Sequence, residues 1–226
     1  MSAFQPLKLW SHWGAPNPWK IIMILDSLSL PYSPKLLEFS DVKKNEYIQV
    51  TPNGRLPALE DPNTGIVLWE SGAIILYLID QYDTEGKISY KSFPEKHLTQ
   101  QWLAFQISGQ GPYFGQATYF ARFHPTPLPS ATARYMAEII RVISVLDLGL
   151  ARNGTGWLVG SKCTYADLSF RTWAAVGEGL LAEVGRSEEI GQFENYRKWI
   201  ERVDEREEVK GALEGMARGR RENGLN

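Results

Sequence analysis

Three short segments near the start of the chain carry residue types that suit an anionic, peptide-like ligand. The loop Ser11–Asn17 (SHWGAPN) lies between an expected strand and an expected helix. It therefore faces free N–H groups and the positive end of a helix dipole, which favour a thiolate or another anion. In Gly54–Pro57 (GRLP), a cis proline would turn the preceding backbone outward to pair with a peptide-like ligand. Ser71, after Glu70, is either a simple helix N-cap or a group that binds a carboxylate.

These segments lie within an alternation of expected strands and helices over the first eighty residues. The order is strand, helix, strand, followed by strand, strand, helix, and the last helix has an apolar stripe at helical spacing. The expected elements are strands at Pro6–Trp10, Pro34–Phe39 (buried), Leu56–Glu60 and Ile66–Trp69, a helix through Ile22–Leu30, a weak helix at Asn45–Val50 and a helix from Ser71.

The rest of the chain has helical periodicity without strand alternation. We therefore predict a first domain over 1–83, a linker over 84–95 and an all-helical domain over 96–226. Proline and glycine at Gly109–Pro112 and His124–Pro129 predict two helix interruptions, and the charged tail Ala217–Asn226 is expected to fray.

Composition excludes several classes of protein. The 226 residues are 43% hydrophobic and 22% charged, which is typical of a folded globular chain. The net charge of −2 provides no basic field for nucleic acid or an anionic membrane. With Cys163 as its one cysteine and three scattered histidines, the chain is expected to have neither an intrachain disulfide nor a metal site. We expect no signal peptide and no membrane span, and therefore a cytoplasmic protein.

Five ordered motifs carry a resemblance that covers essentially the whole chain. They are SHWGAPNPWK at 11–20, TPNGRLPAL at 51–59, WESGAI at 69–74, SGQGPYFGQATYF at 108–120 and WLVGSKCTYADL at 157–168. In this order they resemble the cytosolic glutathione S-transferases, and more narrowly the fungal class that includes the yeast nitrogen-catabolite regulator. The resemblance implies an α/β, thioredoxin-like first domain that binds glutathione as co-substrate. It also implies an all-helical second domain that supplies most of a hydrophobic acceptor site.

The resemblance assigns glutathione-binding roles to individual residues. The Asn17 amide would hydrogen-bond the glutathione sulfur, with the Ser11 hydroxyl as second choice. The Leu56 backbone would pair with the cysteinyl unit, Glu70 would take the γ-glutamyl ammonium and Ser71 its carboxylate. The remaining glutathione-binding candidates are Arg55, Pro57, and Lys43 or Lys44 for the glycyl carboxylate, the lysines being aligned only across a gap.

The acceptor pocket is expected where aromatic side chains mix with polar ones, at Trp13, Gln110, Tyr113, Phe114, Tyr119 and Phe123. The alternative is that at least half of these side chains are core or dimer interface. Ala15 stands where redox classes of the family place a cysteine, and since the first domain contains no cysteine, dithiol exchange through a protein thiol is excluded there. Thr164 and Asp167 form an expected capping box, a structural feature rather than a catalytic one.

The resemblance implies a homodimeric transferase that transfers glutathione to a hydrophobic electrophile or uses it to reduce one. Its setting would be detoxification or fungal secondary metabolism, with a glutathione-dependent peroxidase side activity. The alternative is a non-catalytic regulatory or ligand-binding protein. The Asn-rich extension of the yeast regulator is not in this sequence, and Asn17, Glu70 and Ser71 favour the enzyme.

Overall fold

The computed structural model describes residues 3–224, which contain four strands and nine α-helices. Its contacts divide the chain into two compact units. The first comprises the described residues up to Ile88 together with those from Glu207 onward, and the second is Ser89–Arg206. The last helix therefore groups with the first unit, whereas the sequence prediction kept it in the helical domain.

The first unit is built on a four-stranded mixed sheet with the order β2-β1-β3-β4. β2 runs parallel to β1, whereas β3 runs antiparallel to both β1 and β4, so that Leu9 lies between Pro34 and Leu59. The strands are β1 (Leu7–Ser11), β2 (Tyr32–Leu36), β3 (Ala58–Asp61) and β4 (Ile66–Trp69). The helices of this unit are α1 (Pro16–Ser27), α2 (Asn45–Ile48), α3 (Ser71–Tyr82) and α9 (Glu207–Glu222). The predicted thioredoxin-like arrangement is confirmed.

The buried residues of α1 and α3 are mainly aliphatic, and those of β1 and β3 complete the core of this unit. The fully buried aliphatic side chains include Leu7, Leu9, Ile21, Ile24, Leu25, Leu59, Ile74, Ile75 and Leu78. Their burial supplies the main stabilisation of the sheet-and-helix layer.

The second strand differs from its prediction. It spans Tyr32–Leu36 rather than Pro34–Phe39, and it is half-exposed rather than buried, with Leu36 57% exposed. β2 lies at the edge of the sheet, with no neighbouring strand on one side among the described residues. Pro34, which has no N–H to donate, is tolerated in such a position.

The second unit is entirely helical in the part that the structure describes, as predicted. Its helices are α4 (Glu95–Phe105), α5 (Gly111–Thr118), α6 (Pro129–Asn153), α7 (Tyr165–Glu183) and α8 (Glu194–Asp204). Its core includes Leu103, Phe114, Ile139, Ile143, Leu146, Leu168, Phe170, Tyr196 and Trp199. No helix among residues 3–224 is long and apolar enough to cross a membrane.

The predicted interruption at Gly109–Pro112 is wrong. α4 continues through a π-helical turn, Gln106–Gln110, directly into α5, and a second π-helical turn, Tyr119–Phe123, follows. A π turn shifts the hydrogen-bond ladder by one residue, and Pro112, which lacks an N–H, comes directly after it. The predicted break at His124–Pro129 is confirmed, because the helix ends before His124 and α6 begins at Pro129.

The predicted fraying of the C-terminal tail is wrong for the residues up to Glu222, which complete α9, while Leu225 and Asn226 lie outside the described residues. α9 packs against α1, and its buried residues are Val209, Ala212, Gly215, Met216 and Gly219. Small side chains at four-residue spacing let one helix approach another closely, and this packing holds the otherwise charged segment in place.

Candidate functional site

The loop between β1 and α1 is held at several of its backbone atoms. The Gly14 N–H donates to Nδ1 of His12 at 2.9 Å, and Nε1 of Trp19 donates to the Trp13 carbonyl at 2.9 Å. Nε of Arg220, on α9, donates to the Gly14 carbonyl at 3.1 Å. These hydrogen bonds give the loop a defined shape.

Asn17 lies at the second position of α1, half-buried, at the end of this loop. Its neighbours Pro16 and Pro18 carry no backbone N–H, so Asn17 has the first N–H group of the helix. The Asn17 amide group and this N–H both stand at the positive end of the helix dipole. This arrangement suits an anion such as a thiolate.

Ser11, the second choice for the catalytic residue, lies at the end of β1 and is 1% exposed. Its carbonyl accepts the Leu37 N–H at 2.9 Å, within the pairing of β1 with the chain that follows β2. The structure therefore places Ser11 inside the sheet layer, whereas Asn17 lies at the helix terminus.

His12 is a buried polar residue in the same loop that the sequence analysis treated only as a scattered histidine. Its ring stacks on Phe39 with the centroids 4.0 Å apart, and the Trp13 ring lies 4.2 Å from it. Burial lowers the pKa of His12. The charge of Glu38 acts in the opposite direction, and the charge of Arg220 lowers this pKa further. Because Nδ1 accepts a hydrogen bond from Gly14, the neutral ring carries its proton on Nε2.

The segment before β3 contains a cis peptide bond between Leu56 and Pro57. Pro57 is buried, and Leu56 packs against the cluster around Trp10 and Tyr47. The Arg55 side chain is exposed. The backbone carbonyl of Arg55 accepts a hydrogen bond from the Tyr47 hydroxyl at 2.9 Å. The Tyr47 hydroxyl thereby anchors the backbone that the sequence analysis assigned to glutathione pairing.

Gly54 in this segment has a left-handed backbone with φ +56°. A Cβ at this position would lie 2.7 Å from the Val42 carbonyl oxygen. The turn into the segment therefore requires glycine at position 54.

Glu70 and Ser71 begin α3, with an unusual backbone at Glu70. Its φ is +71°, in the left-handed region that a residue with a side chain rarely adopts. The helix begins at Ser71 with Glu70 as the N-cap residue, so the predicted N-cap position of Ser71 is wrong by one residue. A strained residue at a helix start is a frequent feature of ligand sites.

The Glu70 carboxylate is hydrogen-bonded to Asn53, which in turn contacts Lys43. Its Oε1 accepts the Asn53 side-chain amide at 3.2 Å, and the Asn53 carbonyl accepts Nζ of Lys43 at 2.9 Å. Lys43 is therefore joined to Glu70 through Asn53. Lys44 points to Asp41 instead, with 2.6 Å between Nζ and Oδ1.

Lys20 is a buried titratable residue of this region that the sequence motifs did not indicate. It lies one turn beyond Asn17 on α1 and is 1% exposed. Burial lowers the pKa of its ammonium to about 7, and the Glu70 carboxylate acts in the opposite direction. The signal in the sequence was a lysine within the apolar run of α1.

The proposed acceptor residues have different environments. In the second unit, Gln110 is 1% exposed, and its amide nitrogen donates to the Phe170 carbonyl at 3.0 Å. Phe114 is likewise 1% exposed, so both side chains belong to the core of that unit rather than to a surface open to an acceptor.

The other acceptor candidates retain accessible surface. Tyr113 is half-buried beside Tyr135, while Tyr119 is 43% and Phe123 is 56% exposed. Trp13, in the first unit, is half-buried and donates from Nε1 to Glu38 at 3.0 Å. Within residues 3–224 no group of three or more His, Cys, Asp or Glu side chains is placed to hold a metal ion.

Comparison with known proteins matches both parts of the chain. The family model for the N-terminal domain of glutathione S-transferase matches residues 5–80, and the model for the C-terminal domain matches residues 126–215. The glutathione S-transferase-like protein gedE of Aspergillus terreus is 43% identical, over 96% of this chain and 98% of that protein.

Solved structures with the same fold come from Phanerochaete chrysosporium. The glutathione transferase URE2P6, in complex with oxidized glutathione, has a TM-score of 0.88 and 41% identity, over 95% of this chain and 98% of that chain. Ure2p5, cocrystallized with 1-(S-glutathionyl)-2,4-dinitrobenzene, has a TM-score of 0.85 and 37% identity, over 96% of this chain and 97% of that chain. The chain therefore belongs to the glutathione S-transferase family, alongside the Ure2p-like transferases of fungi.

Proposed function

We propose that the protein is an active glutathione transferase that holds the glutathione sulfur as a thiolate and presents it to a hydrophobic electrophile. The observation that carries the proposal is the placement of Asn17 at the start of α1, after a loop whose backbone is held by His12, Trp19 and Arg220. A fixed donor at the positive end of a helix suits a developing thiolate.

The first proposed reaction is conjugation through the glutathione thiol. The Asn17 amide donates to the sulfur and, with the helix dipole, lowers a thiol pKa that is about 8.5 in an ordinary cysteine. The thiol proton passes to solvent, and the thiolate attacks an electrophilic carbon. A carbon–sulfur bond forms while the leaving group departs with its electron pair.

Reduction is the second reaction of the same thiolate. Attack on a peroxide oxygen breaks the O–O bond and releases an alkoxide, which takes a proton. The sulfenic acid left on the first glutathione is reduced by a second glutathione thiol, giving glutathione disulfide and water. We propose this peroxidase reaction as a side activity.

The remainder of the glutathione molecule binds to the other first-unit residues. The Leu56 backbone pairs with the cysteinyl unit, with Arg55 and Pro57 on either side. Glu70 binds the γ-glutamyl ammonium, Ser71 and the start of α3 bind its carboxylate, and Lys43 or Lys44 meets the glycyl carboxylate. The Glu70–Asn53–Lys43 chain of hydrogen bonds supports Lys43 over Lys44.

The acceptor is a hydrophobic electrophile, for which we propose Trp13, Tyr113, Tyr119 and Phe123 as contacts. We further propose that the protein acts as a homodimer in the cytoplasm, in detoxification or fungal secondary metabolism. The conjugate in the Ure2p5 structure supports 1-chloro-2,4-dinitrobenzene as the first electrophile to test.

The test compares Asn17→Ala with wild type and with Asn45→Ala, an exposed asparagine at the start of α2. Glutathione binding is measured by isothermal titration, the thiolate by its ultraviolet absorbance across a pH series, and turnover with the dinitrobenzene. We expect Asn17→Ala to bind glutathione within a few-fold of wild type, to raise the pKa of the bound thiol and to lower kcat about tenfold or more.

Asn45→Ala should behave as wild type in all three measurements. Unchanged turnover in Asn17→Ala would transfer the activating role to Ser11 or to the backbone. A wild-type protein that does not bind millimolar glutathione would contradict the proposal and favour the non-catalytic, regulatory or ligand-binding alternative.

A further inference from the structure

We propose that Arg220 is a positioning residue for the glutathione thiolate, because from α9 it fixes the loop that precedes Asn17. The inference rests on the proposed function, since it concerns the same loop. It assigns α9 a part in the chemistry although no residue of this helix is itself proposed to contact glutathione or the electrophile.

The contact is made at the peptide of Gly14. Nε of Arg220 donates to the Gly14 carbonyl at 3.1 Å across 206 residues of sequence, while the Gly14 N–H donates to Nδ1 of His12 at 2.9 Å. Both polar backbone atoms of Gly14 are therefore bonded, one of them to a charged donor. A hydrogen bond from a charged donor is stronger than one from a neutral group.

Close packing of the two helices makes this contact geometrically fixed. A Cβ at Gly219 would lie 2.5 Å from the Trp13 carbonyl oxygen, and a Cβ at Gly215 would overlap the Trp19 ring. At the other end of α9, the Ser27 hydroxyl donates to Glu208 at 2.9 Å. These contacts set the register of α9 against α1 and bring Arg220 to Gly14.

The loop leads directly into the helix terminus on which Asn17 sits. A displacement of about 1 Å in a catalytic group can lower a rate by as much as about a hundredfold. Loss of the Arg220 contact frees one side of the Gly14 peptide and lets the loop move. The result is a thiolate that is less well stabilised, while the γ-glutamyl contacts at Glu70 and Ser71 remain in place.

The first variant is Arg220→Met, which keeps most of the aliphatic stem and removes the donor. Arg218→Met and Arg221→Met, exposed on the same helix, are matched controls. Hydrogen exchange of residues 11–17 is followed by mass spectrometry in the protein without glutathione. Turnover and the pKa of the bound thiol are measured separately.

We expect faster exchange across residues 11–17 in Arg220→Met, a raised pKa of the bound thiol and a kcat lowered about tenfold, the size of one lost hydrogen bond to a charged donor. KM for glutathione should change less than kcat. Arg220→Lys, which keeps a charged donor, should restore part of the loss, and both control variants should match wild type.

A second pair of variants tests the helix contact without changing a charge. Gly219→Ala places a methyl group against the Trp13 carbonyl, whereas Gly211→Ala places one where no atom lies within 4 Å. We expect Gly219→Ala to reproduce the effects of Arg220→Met and Gly211→Ala to leave exchange and turnover unchanged.

Unchanged exchange of residues 11–17 in Arg220→Met and Gly219→Ala would overturn the inference, even with normal glutathione turnover in wild type. An equal loss of kcat in Arg218→Met would also overturn it, since the effect would then follow from charge alone. Failure of wild type to bind glutathione overturns the proposed function instead, so the two failures are distinguishable.

Discussion

At the scale of single residues, the buried amine of Lys20 is a strong electrostatic perturbation beside the proposed site. Its pKa lies near 7 because burial disfavours the charged form, with the Glu70 carboxylate acting in the opposite direction. Glu70 is also the proposed partner of the glutathione ammonium. Protein and ligand would thus present two ammonium groups to one carboxylate, and the lowered pKa of Lys20 weakens its competition with the ligand for Glu70.

Lys20→Met should remove a specific pH dependence of stability. Between pH about 7 and the ordinary lysine pKa of about 10.4, the unfolded state binds a proton at Lys20 that the folded state does not. Lys20 therefore makes the wild-type free energy of unfolding rise with pH across that window, and its contribution is constant below it. The free energy of unfolding is measured with denaturant at pH 7, 8.5 and 10. The value for wild type minus the value for Lys20→Met should increase with pH.

Lys96→Met, at an exposed position on α4, is the control. Its free energy of unfolding should differ from that of wild type by an amount that does not vary over the same pH range. A constant difference for Lys20→Met as well would contradict the assignment of a lowered pKa to this ammonium.

At the scale of elements, the start of α7 is organised by one buried carboxylate. Oδ2 of Asp167 accepts the Thr164 N–H at 2.9 Å and the Thr164 hydroxyl at 2.7 Å. Its Oδ1 accepts the Leu158 N–H at 3.0 Å and Nε1 of Trp199, on α8, at 2.9 Å. The capping box predicted from the sequence is confirmed, and it also joins α7 to α8.

Asp167→Ala should destabilise the protein by about 3 kcal/mol, because it leaves buried donors without an acceptor and removes a helix cap. Thermal unfolding measures the loss, and Asp80→Ala, at an exposed position on α3, should change stability by less than about 0.5 kcal/mol. A lowered kcat/KM in Asp167→Ala that remains folded would contradict a purely structural role.

Local patterns predicted most of the elements that carry the proposed site. The order of strands and helices around Asn17 and Ser71 follows from apolar periodicity and turn residues, and the Thr164–Asp167 box from short-range capping chemistry. Long-range packing could not be predicted in this way. The contact of Arg220 with Gly14 and the burial of Gln110 against Phe170 depend on helices that are distant in sequence.

At the scale of the whole molecule, glutathione binding should increase the stability of the folded protein. A ligand that binds only the folded state raises the free energy of unfolding, by about 2.7 kcal/mol at a hundred times its Kd. The proposed glutathione groups all lie in the first unit, so the gain should first appear in the unfolding of that unit.

Thermal unfolding of wild type with increasing glutathione should therefore give a Tm that rises with concentration. Glu70→Ala, which lacks the proposed partner of the ligand ammonium, should need a higher concentration for the same rise. Equal rises in wild type and Glu70→Ala would remove Glu70 from the binding site.

The pairing of α1 with α9 also has a consequence during protein synthesis. The last helix of the first unit is synthesised only after the whole second unit. The first unit therefore remains incomplete while about 120 residues are translated, which takes roughly 6 to 24 s at ordinary elongation rates. Throughout that interval the nascent chain displays the α1 surface, including the Trp19 ring, that Gly215 later covers. The helical unit can fold on the ribosome before the first unit is complete, although most of the first unit precedes it in the sequence.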